Sequence, residues 1–272
     1  QLKKTALWFG AIFIILFIVT MVLLSLTQRQ LLIDARKESL QRQANEKALL
    51  VSTFLESQKE KLRILSFMNV FKEVVKDSNN PAKIEAAKDR IGELMSIFSG
   101  IGVFSNEGII LVSSNAPAGT DYGSDPYFAL RDNKVLFSGY YDRHEKKDYY
   151  SIIGPIYDAK EKDNVIGKIG FQIPLDKISV LMKETLDRGP DEVYLIDETG
   201  LLLSGSEYIG LGNKKGVMIQ KIRSDGIDRC LEYMKEYQEG EIIEKHEEEV
   251  LHYVNYMGDE VLGAHAYVPE IM

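Results

Sequence analysis

The chain has 272 residues, 45% hydrophobic and 27% charged, a globular balance that suffices for one large or two small cores. A net charge of -8 without an arginine-rich stripe excludes a general affinity for nucleic acid. The single cysteine, Cys230, excludes an intrachain disulfide, so stability has to come from packing.

From Thr5 to Thr27 no side chain is charged (TALWFGAIFIILFIVTMVLLSLT). At about 1.5 Å per residue, that run crosses a hydrocarbon layer of about 30 Å. It is too long for the apolar region of a signal peptide, and no small-residue cleavage site follows it. Residues 1–27 are therefore expected to be an uncleaved transmembrane anchor. The flanking charges do not orient it: Lys3 and Lys4 precede the run, whereas Arg29, Arg36, Lys37 and Arg42 follow. The positive-inside tendency, taken alone, would put the following segment in the cytoplasm.

From Gln28 to Ser78 there is neither Gly nor Pro, and the spacing is helical. Ala44, Ala48, Val51, Leu55, Gln58, Leu62, Leu65 and Asn69 recur at steps of four and three, a heptad seam with two polar members. Such a seam serves either to pack a helix on its own domain or to pair it with a second protomer, and a homodimer through this stalk helix is expected. Asn79-Asn80-Pro81 ends that helix and starts another, because Pro suits a first helical turn. Ile84, Ala87, Ile91, Leu94 and Phe98 form the apolar stripe of the second helix, completing a stalk over residues 28–98.

At Ile101 the period changes to that of a strand. Ile101-Phe104 and Ile109-Ser113 flank the turn Asn106-Glu107-Gly108 and read as a hairpin. The loop APAGTDYGSDP leads to a short helix near Tyr127-Arg131. Val135-Tyr141, Tyr149-Tyr157 and Val165-Ile173 then read as strands separated by charged turns. The same order recurs after a helix at Lys177-Leu186. Glu192-Ile196, the turn Glu198-Thr199-Gly200 and Leu201-Leu203 precede a helix near Gly226-Tyr237, then strands near Glu241-Lys245, Leu251-Tyr256 and Val261-Tyr267. The expected fold is α+β: a transmembrane helix, a long stalk helix and two antiparallel-sheet units, at 99–187 and 188–272.

Several segments in this order resemble a known family: SDPYFAL at 124–130, SGYYD at 138–142, GPIYD at 154–158, VIGKIGFQIPL at 165–175, VYLIDETGLLLS at 193–204 and VNYMGDEVLGAHAYVPEI at 254–271. Together they are similar to a double Cache sensor, a long helix followed by membrane-distal and membrane-proximal PAS-like units. The resemblance implies an extracytoplasmic sensing region of a sensor histidine kinase, a chemoreceptor or a cyclic-dinucleotide enzyme. It implies an output module and a second span beyond Met272, and it supplies the orientation that the charges do not.

The resemblance also implies a ligand pocket between the distal sheet and its loop-helix segment. The arginine by which amino-acid sensors hold a carboxylate corresponds to Ser124, and their ammonium-binding aspartate to Gln172. The arginine of dicarboxylate sensors corresponds to Asp125. A buried carboxylate without such a partner costs several kcal/mol. The residues that match or line the expected pocket are Tyr127, Tyr140, Tyr149, Ser151 and Gln172, with Asp125 able to support a cation. Alternation puts Tyr149 with Ser151, and Gln172 with Gly170, on one face of their strands. A neutral or weakly cationic small molecule is the expected ligand. The rival reading is a structural or protein-interaction domain whose tyrosines are amphipathic core residues.

Other clusters carry less. Glu244, His246, Glu247, Glu248 and His252 lack the spacing that puts two histidines on one helix face, and read as a solvated acidic edge. No phosphate-binding glycine fingerprint and no nucleophile-base pair stands out, so neither a cofactor nor catalysis is expected of this chain.

Overall fold

A computed structural model describes residues 2–123, 136–142, 147–158, 164–183, 192–197, 199–204, 221–238, 250–255 and 258–268. Helix α1 runs from Leu2–Phe67 without interruption. At 1.5 Å per residue it is about 100 Å long. Its N-terminal part is long and apolar enough to cross a membrane, and Phe13 to Leu26 expose their large hydrophobic side chains.

Two short helices follow, α2 (Asn69–Lys76) and α3 (Pro81–Leu94). The turn before α3 forms as its residues dictate. Asn80 caps the helix, its side-chain oxygen accepting from the Ala82 amide at 3.1 Å, and Pro81 occupies the first turn. Ala87, Ile91 and Leu94 bury the expected stripe. The expected single helix to Ser78 is corrected, however. Met68 adopts an extended conformation that separates α1 from α2. No Gly or Pro marks this break; its consequence is that Phe71 and Val74 enter the core, at 0% exposure.

Strands β1 (Ile101–Phe104), β2 (Ile110–Ser113), β3 (Leu136–Asp142), β4 (Lys147–Tyr157) and β5 (Val165–Pro174) form one antiparallel sheet of order β2-β1-β5-β4-β3. Its turn at Asn106-Glu107-Gly108 needs glycine: Gly108 has φ 92°, and a Cβ there would lie 2.8 Å from the Gly123 backbone. One sheet face carries Ile101, Val103, Val112, Tyr150, Ile152, Phe171 and Ile173 into the principal core.

That face packs on α1. Val51, Leu55, Leu62 and Leu65 are at most 1% exposed, and Gln58 is 5% exposed. The seam from Val51 to Leu65 is thus covered within the chain, and this buried part is closed to a second protomer. An apolar stripe is buried by the nearest apolar surface, and here the same chain provides it.

Helix α4 (Leu175–Lys183) leads out of the sheet toward the second unit. There, the Gly200 amide donates to the Asp197 carbonyl at 2.9 Å, at the turn expected for a repeated hairpin. The Asp197 carboxylate accepts from the Thr199 and Leu201 amides, and Gly200 has φ 79°. The flanking segments pair through Ile196 and Leu202 and through Leu203 N to Leu195 O, less regularly than the strands expected there. Helix α5 (Asp225–Gln238) precedes a hairpin of β6 (Leu251–Val254) and β7 (Glu260–Gly263). The expected helix near Tyr127 and the strand near Glu241 lie outside the described residues.

The two units share one core. Leu203 and Val268 of the second belong to the same buried cluster as Phe171 and Leu55. The Tyr150 hydroxyl, on a side chain only 3% exposed, donates to the Leu203 carbonyl at 3.1 Å. Burial, with a smaller contribution from the Asp197 carboxylate, raises that hydroxyl well above the usual tyrosine range. Tyr150→Phe strands a buried carbonyl and is expected to cost about 1–3 kcal/mol in urea unfolding. In the wild type, the tyrosine's contribution is complete below about pH 10 and declines above it, because the unfolded chain ionises first. The variant should therefore lose less stability than the wild type on going to alkaline pH.

Candidate functional site

Alternation along β4 separates two tasks. Tyr150 and Ile152 point into the helical core, so Tyr149, Ser151 and Ile153 occupy the opposite face. The register joins this second face across strands. Ser151 lies opposite Gln172 on β5 and Ser138 on β3, while Tyr149 lies opposite Pro174 and Tyr140. Directly opposed residues have Cβ atoms about 5 Å apart, so each row is continuous.

The Ser151–Gln172 row extends to the end of β2. The Asn115 side-chain amide donates to Gln172 Oε1 at 2.7 Å. Gly100 makes that approach possible, since a Cβ there would lie 2.7 Å from Gln172 Oε1 and 2.5 Å from Asn115 Nδ2. One end of the face is closed by the loop after β2. Ala116 and Tyr122 pack on Phe104, Ile110 and Ile153, and the rings of Phe104 and Tyr122 meet edge-on at 6.3 Å. Lys168 lies on the same face beside Pro155 and Phe104, farther along β5. It is 8% exposed, and burial lowers its pKa.

Of the six residues expected from the sequence, Tyr149, Ser151 and Gln172 share one face, and the backbone register brings Tyr140 beside Tyr149. Tyr149 is 2% exposed, while Ser151 and Gln172 are half-buried. Asp125 and Tyr127 lie outside the described residues, as does the side chain of Tyr140. The sequence reading missed Asn115, Gly100 and Tyr122. Only the Gly-rich, aromatic character of the loop hinted at Tyr122, and the contact of Asn115 with Gln172, 57 positions away, has no local signal.

Elsewhere, Cys230 on α5 is partly buried, and burial pushes its thiol up to about 12. His252 of the acidic stretch is exposed, and no cluster of metal-ligating side chains occurs among the described residues. Glu244, His246, Glu247 and Glu248 lie outside them.

A five-stranded antiparallel sheet of order 2-1-5-4-3, with helices on one face and a loop over the other, is the PAS-like arrangement of ligand-sensing modules. The chain belongs to the Cache domain family, whose model matches residues 27–271. Solved structures agree on the fold. The sensor domain of the V. cholerae histidine kinase DctB superposes with a TM-score of 0.53 at 13% identity, over 63% of this chain and 67% of that one. The ligand-binding domain of the Pseudomonas aeruginosa amino acid chemoreceptor PctB, in complex with L-Arg, gives 0.50 at 18%, over 68% and 75%. That of the Pseudomonas fluorescens chemoreceptor CtaA, in complex with L-isoleucine, gives 0.50 at 19%, over 71% and 75%. No curated protein matches the chain in sequence.

Two measurements test this geometry. Gly100→Ala should displace the Asn115–Gln172 pair, seen as shifts of both side-chain amide resonances, at a stability cost of about 1 kcal/mol. Cys230 should resist iodoacetamide at neutral pH in the folded protein and react at the rate of a free thiol once it is unfolded in urea.

Proposed function

We propose that this chain is the extracytoplasmic sensing region of a transmembrane receptor, such as a sensor histidine kinase, and that it binds a neutral or weakly cationic small molecule on the loop-covered face of its distal sheet. The observation that carries this reading is the row Ser151–Gln172–Asn115, whose groups donate and accept hydrogen bonds without charge. Such a row satisfies hydroxyl, amide or carbonyl groups of a ligand, with Tyr149 as an aromatic wall beside it. A carboxylate placed against Ser151 and Gln172 would have no cation in the same row, and Lys168 is four residues farther along β5. The family membership and the apolar helix continuous with the domain support the receptor assignment.

The route from pocket to membrane is short in this reading. Tyr149 faces the ligand while its neighbour Tyr150 bonds the second unit, so a shift of β4 moves both. Helix α1 carries the displacement toward the membrane, and a ligand changes the equilibrium only by its differential affinity for the two packings.

The test is a thermal-shift screen of the full chain in nanodiscs against sugars, amines, nucleobases and organic acids. At 100 times its dissociation constant, a binding ligand stabilises by about 2.7 kcal/mol. Neutral or cationic molecules should raise the melting temperature, and Gln172→Leu should abolish the shift. Stabilisation by carboxylates alone, or an unchanged response in the variant, would contradict the proposal.

A further inference from the structure

A second space in the molecule has no part in the distal face. It lies between α1 and the second unit and encloses about 710 Å³, within the range of small-molecule sites. Its first wall is one stripe of α1, in which Leu40, Ala44, Ala48 and Val51 follow at helical spacing. The two alanines leave the trough open where larger side chains would fill it. From Arg36 to Val51 the trough runs about 22 Å along the helix.

The facing wall is built from α5, the β6-β7 hairpin and the segment at Val193–Ile196. Its aromatic member Tyr253 is held in place by two glycines. A Cβ on Gly226 would come within 2.6 Å of the ring, and one on Gly263 would overlap it. The Tyr253 hydroxyl is hydrogen-bonded with Tyr194, and burial raises its pKa despite that bond. Tyr267, also lining the space, donates to the Cys230 carbonyl at 3.4 Å. The wall is therefore anchored, with the phenol groups, Asn255, Asp259 and His265 as polar points on a surface that is otherwise mostly apolar.

The ionic groups at the border are largely engaged. Lys47 is 3% exposed, and its ammonium donates to the Leu181 carbonyl near the end of α4 at 2.7 Å. The Asp197 carboxylate is used by the turn it caps. Arg36, Glu192 and Asp259 add charges of both signs, so the lining has no excess cation for an anion. Burying an unmatched charge there would cost several kcal/mol, whereas an uncharged body loses nothing.

We propose that this space is a second ligand site, for an uncharged molecule with an apolar body and one hydroxyl or carbonyl that meets the Tyr194–Tyr253 pair. Its occupant touches α1 between the apolar N-terminal segment and the distal sheet, so it bears on the same helix as the distal ligand, from an independent site.

The test uses the full chain in lipid nanodiscs, with empty nanodiscs as the partitioning control, and three probes of one shape: 4-propylphenol, 4-propylbenzoate and 4-propylbenzylamine. The phenol should bind saturably in calorimetry, and the charged analogues should bind at least about tenfold more weakly. Ala48→Phe fills the trough and should weaken the phenol about tenfold or more. If Ala48→Phe fails to give a cooperative melt, Tyr194→Phe decides, with an expected loss of about threefold. Equal affinity for the three probes, binding no greater than to empty nanodiscs, or indifference to the variants would overturn the proposal. Loss of phenol binding in Gln172→Leu would overturn it as well, since the probe would then occupy the distal face. Retained binding there, beside a failed distal screen, would leave this site standing alone.

Discussion

The structure depends on the burial of one stripe of α1. Val51, Leu55, Leu62 and Leu65 close the core over the distal sheet, and the same helix reaches α4 through Lys47 and the second unit through Gln41. Burying four such side chains is worth several kcal/mol of transfer free energy, a large part of the net stability of a typical domain. The sheet, the α2-α3 pair and the second unit are each attached to a continuous rod.

That attachment lets the proposed binding face and the helix that leads toward the apolar segment be neighbours without being the same residues. A strand alternates its side chains, so β4 offers Tyr149 and Ser151 to one side and Tyr150 and Ile152 to the other. The Tyr150 bond to Leu203 and the shared cluster make the boundary between the units a packed interior rather than a flexible joint. Packed interiors have discrete arrangements and transmit displacement, which is the property a receptor domain needs.

Polarity is distributed to match. On the distal face the hydrogen-bonding row is assembled from β4, β5 and the end of β2. In the space beside α1 the lining is mostly apolar, and several of its polar groups are engaged: Tyr194 with Tyr253, Lys47, Asp197 and Tyr267 with backbone groups. The contrast between the two is chemical: one offers several uncharged donors and acceptors in a line, and the other offers length and apolar area. One surface lies against α1 and the other lies across the sheet that packs on it, so the two proposed sites bear on one helix by different routes.

Much of this was legible in the amino-acid sequence, because it depends on short-range regularities. The uncharged run before Gln28, the Asn80-Pro81 helix start, the glycine turns at Gly108 and Gly200, and the alternation of β4 and β5 are each written within a few residues. So was the common face of Tyr149 and Ser151, since period two requires it. What the tertiary structure decided was long-range. It broke the helix at Met68, where no residue type marks an end and packing of Phe71 and Val74 provides the gain. It buried the seam from Val51 to Leu65 within the chain's own core, because a seam records that a stripe is buried and not what buries it. It brought Asn115 to Gln172, and Tyr253 between Gly226 and Gly263, contacts between distant positions that no local pattern encodes.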